Sequence, residues 1–168
     1  MRRPTAEELI EYLGLEPHPA EGGYFRETYR TGPRLPPEVS GGVWSAERDL
    51  TTAIYYLLTS DTRSVMHRLA SDEIYHFYMG DPVTMLLLST DGSSETLTLG
   101  TDVLAGEHVQ VVVDRGVWQG LILRPGGAYA LLGTTVAPGF EYDDYEEGGR
   151  AYLAARYPKH TELITKLT

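Results

Sequence analysis

The sequence predicts an all-β fold, a sandwich or closed barrel of the jelly-roll kind, with short helices at its two ends. From Gly22 onward the chain contains short runs rich in β-branched and aromatic residues, at 24–29, 52–58, 74–79, 83–88, 96–99, 109–113, 119–123 and 128–135, a composition typical of strands. Turn residues separate these runs, as at Asp91-Gly92 and Pro125-Gly126. Eight or more strands at this spacing favour a two-sheet sandwich or a barrel.

Helix-forming patterns are confined to the ends of the chain. Thr5 followed by Glu8 is a capping-box pattern, and the apolar stripe behind it stops at Gly14. Helix formers return at 150–156 and after Thr161. The segment 31–45 is rich in proline and glycine and predicts an ordered surface loop or a flap near the barrel mouth.

Length, charge and cysteine content exclude several classes of function. The 168 residues predict a single domain, 1–168. A net charge of −10 without a cluster of Lys or Arg argues against nucleic acid or an anionic membrane as partner. The absence of cysteine excludes disulfides and thiolate metal sites. The N-terminus has no long apolar run, so we expect neither signal peptide nor membrane span and a cytoplasmic location.

The stretch 67–82, HRLASDEIYHFYMGDP, carries the chemistry. It places an imidazole at His67, a carboxylate six residues later at Glu73, and a turn beginning at Gly80. This spacing resembles the first conserved motif of the cupin superfamily. Metal-binding cupins have a second histidine where this chain has Leu69, and in the region that resembles the second motif Gln119 stands at the histidine position. The resemblance therefore implies no resident cofactor, or at most a divalent metal held by His67, Glu73 and Gln119.

Three segments, 13–30, 67–82 and 137–147, resemble the signature of the cupin-5 (DUF985) subfamily. The resemblance implies a double-stranded β-helix, the RmlC-like cupin jelly roll, which is usually dimeric and has no settled activity. We therefore expect a homodimer with a small-molecule ligand in the barrel lumen.

Strand alternation assigns side chains to the lumen or to the outside. With His67 inside, Glu73 faces it if the family topology holds, and Tyr75 and Phe77 share the face of Glu73 and form the wall. His76 then lies on the outer face or at a subunit contact.

Other candidates have a functional and a structural interpretation. Arg26 is a candidate anchor for an anionic substrate, or it pairs with a neighbouring acid such as Glu27. Trp118 either lines the mouth of the lumen or fills the core. The turn at 138–145 is interpreted as structural, with a place at the rim of the lumen as the alternative.

Two classes of function remain open. The first is binding of a small polar or anionic metabolite, such as a sugar derivative, without chemistry. The second is an enzyme: a metal-independent epimerase or isomerase with His67 as general base, Tyr75 or Tyr78 as acid and Arg26 as anchor, or a weakly metal-dependent cupin enzyme. If His67 and Glu73 pair, the carboxylate should raise the pKa of His67 and the imidazolium should lower that of Glu73, with burial opposing both.

Overall fold

The computed structural model describes residues 2–168 and is built mainly of antiparallel strands. The strands are β1 Glu16–Pro17, β2 Tyr24–Arg30, β3 Arg34–Leu35, β4 Arg48–Asp49, β5 Thr52–Thr59, β6 Arg63–Arg68, β7 Asp72–Gly80, β8 Val83–Leu88, β9 Ser94–Leu99, β10 Gln110–Val113, β11 Trp118–Leu123, β12 Tyr129–Ala137 and β13 Glu146–Glu147. Three α-helices, α1 Ala6–Leu13, α2 Arg150–Arg156 and α3 Thr161–Leu167, lie near the ends, and short 3-10 turns occur at Pro37–Ser40, Val103–Ala105, Tyr142–Asp144 and Pro158–His160.

Two sheets form the body of the protein. One has six strands in the order β1-β2-β5-β12-β7-β10, and the other has five in the order β13-β6-β11-β8-β9. Apolar side chains between them form the main core, including Leu58, Phe77, Met85, Leu121 and Leu132. The predicted all-β jelly roll with short terminal helices is confirmed. Strand β6 is absent from the predicted runs because RSVMHR has neither β-rich composition nor clean alternation.

Helix α1 begins and ends where its capping residues predict. At α1 the Thr5 side chain accepts from the backbone N–H of Glu8, the Glu8 carboxylate accepts from that of Thr5, and Gly14 ends the helix in the left-handed conformation. Helix α1 packs on the six-stranded sheet through Leu9. Helices α2 and α3 cover the outer face of the other sheet, where Leu153 and Ile164 are fully buried.

The segment 31–45 forms only β3, which pairs with β4, and one 3-10 turn. Strand β4, just beyond this segment, is joined to the 3-10 turn Tyr142–Asp144 by a buried ion pair, in which Arg48 Nε lies 2.7 Å from Asp144 Oδ2. Arg34 from this segment also lies 3.4 Å from Glu141, which lines the cavity described below. Among the described residues, no helix is long and apolar enough to cross a membrane.

Candidate functional site

A cavity of about 200 Å³ lies between the two sheets, at the end of the barrel where β2 and β12 finish and β7 begins. Its wall includes four polar side chains that are largely withdrawn from solvent: His18, Glu21, His67 and Glu73. The rest of the wall contains apolar residues such as Phe25 and Ile54 and the charged residues Glu27, Arg30 and Glu141. The sequence predicts two of the four polar residues and misses the other two.

His67 reaches the lumen through an irregularity in β6. Gln119 pairs with His67 and Leu121 with Ser64, so β6 has one residue more than β11 between these pairs. The His67 ring stacks on Tyr145, with centroids 5.2 Å apart, and its Nδ1 lies 2.8 Å from the carbonyl oxygen of Val65. Because a carbonyl can only accept, Nδ1 carries the proton.

Glu73 is held by Gln119 rather than by His67. The Gln119 amide donates to Glu73 Oε2 at 2.8 Å, and both side chains are buried. Within residues 2–168, His67 makes neither a hydrogen bond nor an ion pair with Glu73. The predicted direct pair is therefore replaced by an arrangement in which Gln119 lies beside both. Gln119 Oε1 is buried without a hydrogen-bond partner among these residues.

The segment 18–23, which sequence reasoning did not assign to the site, supplies its other two polar groups. The backbone N–H of Glu21 donates to His18 Nδ1 at 2.8 Å, and His18 Nε2 lies 4.0 Å from Glu21 Oε2. Ser64 donates to Glu21 Oε1 at 2.5 Å. Gly22 has φ +89°, and a Cβ there would collide with the carbonyl oxygen of Arg63. The Gly22-Gly23 pair before a strand was the available signal, because it permits this close approach to β6.

Burial controls the ionisation of the site. Burial, and then the charge of Glu21, raises the pKa of Glu73 to about 7. Burial also raises the pKa of Glu21 and lowers those of His18 and His67. Glu73 raises the pKa of His67 and His67 lowers that of Glu73, as predicted, but the opposing effect of burial is larger, so both net shifts have the reverse sign. Without direct contact, their attraction is smaller than the cost of removing each charge from water.

Arg26 does not lie in the lumen. Its side chain is exposed on the outer face of β2, and its guanidinium carbon lies 5.6 Å from the Tyr55 ring centroid. Phe25 and Glu27 line the cavity instead, and after a bulge in β2 so does Arg30. Arg30 is held by three carboxylates, with contacts to Asp49 at 2.7 Å, Glu27 at 2.9 Å and Glu141 at 3.2 Å.

The remaining candidates divide between core and surface. Tyr75 and Phe77 share the inner face of β7 with Glu73, but they belong to the packed core rather than to the cavity wall. Trp118 packs among the residues beneath α2 and α3, so it fills a core and does not line the mouth of the lumen. Phe140 and Tyr142 line the cavity, so part of the 138–145 turn takes the rim position.

The two tyrosines proposed as acids, and His76, lie outside the cavity wall. Tyr78 is 49% exposed on the outer face of β7, while Tyr75 is fully buried. His76 is on the outer face, as predicted, where its Nδ1 lies 3.2 Å from Gln110 Nε2 and its Nε2 lies 3.3 Å from Thr135 Oγ1.

The donor set does not fit a tightly held transition metal. Among residues 2–168, no group of three or more His, Cys, Asp or Glu side chains is arranged to hold a metal ion. Leu69 lines the cavity with an apolar side chain, and the Gln119 amide nitrogen, not its oxygen, faces Glu73. A catalytic zinc site normally has three protein ligands from His, Cys or carboxylate side chains.

Comparisons with solved structures agree with this architecture. Protein SO0799 from Shewanella oneidensis has 35% sequence identity and a TM-score of 0.86, and the match covers 99% of this chain and 98% of that one. A hypothetical protein from Leishmania major has 32% identity and a TM-score of 0.87, over 98% and 99% of the two chains. Oxalate decarboxylase from Bacillus subtilis has 14% identity and a TM-score of 0.55, over 94% of this chain but 38% of that one. At that identity the likeness is one of fold alone.

Sequence comparison identifies the family. The uncharacterised protein YML079W of Saccharomyces cerevisiae is 33% identical over an alignment of 149 residues, and the match covers 84% of this chain and 74% of the yeast protein. The family model described as Cupin superfamily (DUF985) matches residues 7–147. The chain therefore belongs to the DUF985 family of the cupin superfamily.

Proposed function

We propose that this protein binds a small, neutral, hydroxylated metabolite in the lumen of its barrel. The observation that carries this proposal is the cavity beside Glu73, in which four largely buried polar side chains converge beside apolar wall residues such as Phe25 and Ile54. Burying ionisable groups is costly unless they are paired or used. An enclosed apolar site with a few convergent polar groups is typical of ligand binding.

The volume of the cavity limits the size of the ligand. About 200 Å³ is below the range of about 300–1,000 Å³ usual for drug-sized ligands, and it corresponds to about seven water molecules at about 30 Å³ each. A free sugar or short polyol fits these dimensions. A whole sugar nucleotide is larger than this volume.

The charge of the site favours a neutral ligand over an anion. Glu21, Glu27, Glu73 and Glu141 line the cavity, and Arg30 is already held by carboxylates. An anion would face these carboxylates without an uncommitted cation. Hydroxyl groups, in contrast, can donate to carboxylate oxygens.

Ligand-induced stabilisation tests the proposal. We expect erythritol, erythrulose or ribose to raise the melting temperature, and erythronate, of similar size but anionic, to have no effect. A ligand at about 100 times its dissociation constant should add about 2.7 kcal/mol to the unfolding free energy.

A variant with a filled cavity provides the control. Ile54→Phe enlarges a side chain of the wall and should abolish the stabilisation, whereas Val112→Phe, at a position 56% exposed, should retain it. Binding in the lumen would be refuted if a ligand stabilised Ile54→Phe as much as the parent protein. It would also be refuted if none of the three hydroxylated compounds stabilised the parent protein.

A second candidate function is proton transfer at carbon, as in an isomerase or epimerase, with His67 as base. The supporting observation is the state of His67: its Nδ1 faces a carbonyl, and Nε2 makes no hydrogen bond within residues 2–168 and is not sealed from the cavity. The neutral ring therefore presents a lone pair at Nε2.

Exchange of carbon-bound hydrogen with solvent distinguishes this function from binding alone. In D₂O the protein should incorporate deuterium into a bound hydroxyketone such as erythrulose, and His67→Asn should lose that activity. Binding of erythrulose without any incorporation above the protein-free rate would leave binding as the function.

A further inference from the structure

The backbone holds the two histidines of the cavity in opposite tautomers. His18 Nδ1 accepts from the N–H groups of Glu21 at 2.8 Å and Ala20 at 3.3 Å, so this nitrogen is unprotonated. His67 Nδ1 faces the carbonyl oxygen of Val65 at 2.8 Å, so this nitrogen is protonated. In the neutral rings, His18 therefore carries its hydrogen on Nε2, and His67 carries a lone pair there.

Both rings are kept neutral by their surroundings. Each is largely buried, with 5% of the His18 side chain and 1% of His67 exposed, and burial lowers both pKa values. Both rings line the same cavity. The cavity thus presents one N–H donor and one nitrogen acceptor.

We infer that His18 and His67 select a neutral ligand carrying an acceptor oxygen next to a hydroxyl, as in an α-hydroxy carbonyl compound. His18 Nε2–H donates to the carbonyl oxygen, and His67 Nε2 accepts from the hydroxyl. This inference rests on the proposed function, because it requires a ligand in the lumen. It gives His18 a binding role, and it explains why Glu21 supports the turn that fixes the His18 tautomer.

Two substitutions remove one hydrogen-bonding group each and keep the backbone contact. In His18→Asn the amide oxygen can still accept from the N–H groups of Ala20 and Glu21, as in an Asx-turn, but the Nε2–H donor is lost. In His67→Asn the amide N–H can still donate to Val65, but the Nε2 acceptor is lost. His76→Asn, on the outer face, is the matched control.

Methyl lactate and methyl pyruvate are the matched probes. Both are neutral and of nearly equal size, and they differ in that lactate has a hydroxyl where pyruvate has a ketone. We expect the parent protein to bind methyl lactate about tenfold more tightly than methyl pyruvate, because one hydrogen bond contributes about that factor. NMR titration measures both affinities. His67→Asn should abolish this preference. His18→Asn should weaken the binding of both probes and keep the preference for methyl lactate. His76→Asn should change neither affinity.

The tautomers can be read independently of binding from ¹⁵N shifts and long-range ¹⁵N–¹H couplings of the imidazoles. Protonation of His18 at Nδ1 or of His67 at Nε2 would overturn the inference. So would a methyl lactate preference that is absent from the parent or survives in His67→Asn. Those results would leave the proposed function standing if the hydroxylated compounds still bind in the lumen, whereas failure of all of these ligands to bind there would refute both.

Discussion

The interior of the barrel has two halves that are built from the same strands and differ in chemistry. Strand β7 supplies Phe77 to the filled half and Glu73 to the half with the cavity. Strand β11 likewise supplies Leu121 to the core and Gln119 to the polar cluster. The filled half is packed with apolar side chains, while the other contains buried acids and imidazoles around open space.

This difference separates stability from function within one fold. Inward positions of a strand repeat every second residue, so one strand can serve packing at one end and recognition at the other. We therefore expect substitutions in the filled half to change mainly the unfolding free energy, and those in the cavity half to change mainly pH dependence and ligand binding.

The largest effect should come from the filled half. Leu121 is fully buried, so Leu121→Ala should lower the unfolding free energy by about 2–5 kcal/mol through lost transfer energy and a new cavity. Ile54→Ala, at the cavity wall, should lower it by less because that side chain already borders open space. Urea denaturation measures both, and equal losses would contradict the division into two halves.

The next largest effect concerns the pH dependence of stability. The pKa of Glu73 is raised from 4.5 to about 7 in the folded protein, so the folded state binds this proton more tightly and the contribution of Glu73 to stability falls as pH rises from about 4.5 to 7. At about 1.36 kcal/mol per pKa unit, the loss at this residue is roughly 3 kcal/mol.

Glu73→Gln removes this titrating group and should be the more stable protein at pH 8, with little difference at pH 4. Denaturant titrations from pH 4 to 8 measure the unfolding free energies of the two proteins. Curves of unfolding free energy against pH that run parallel would count against the prediction. Burial also raises the pKa of Glu21 and lowers those of His18 and His67, and these groups change stability with opposite signs, so only the difference between the two proteins reports on Glu73.

A smaller effect is expected from metal ions. We expect the purified protein to retain less than one transition metal ion per chain, because Leu69 and Gln119 occupy the positions of two usual ligands. Added Mn²⁺ or Zn²⁺ below its dissociation constant should raise the unfolding free energy by no more than about 0.4 kcal/mol. Elemental analysis that finds one tightly held ion after dialysis against chelator would disprove this expectation.

The smallest effect on the stability of the single chain should come from a substitution on the outer face of the six-stranded sheet. Helices α2 and α3 cover the outer face of the five-stranded sheet. The outer face of the six-stranded sheet has side chains that are 41–56% exposed, namely Tyr78, Met79 and Val112. The predicted homodimer would cover this face. Tyr78→Lys should then shift sedimentation toward the monomer while changing single-chain stability by no more than about 0.5 kcal/mol. A parent protein that sediments as a monomer at micromolar concentration would refute the dimer.

Much of the fold could be predicted because its signals are local. Strand composition, turn residues and the capping box at Thr5 depend on neighbours in sequence, and all correspond to elements of the structure. The resemblance of the stretch from His67 to Glu73 to the cupin motif implied that both side chains face one lumen, and both line the cavity. The substitution at Leu69 could be read from the sequence, because it concerns residue type alone.

Only the tertiary structure decided which other groups reach the cavity and how they ionise. The bulge in β2 brings Arg30 to the lumen beside Phe25 and Glu27, and the bulge in β6 brings His67 there, whereas Arg26 lies on the outer face by regular alternation. His18 and Glu21 arrive from a segment more than 40 residues away from His67. The balance of burial against charge at Glu73 depends on the surrounding atoms. Local sequence patterns fix strand and helix type, but long-range packing fixes register and desolvation, and these determine the chemistry of the site.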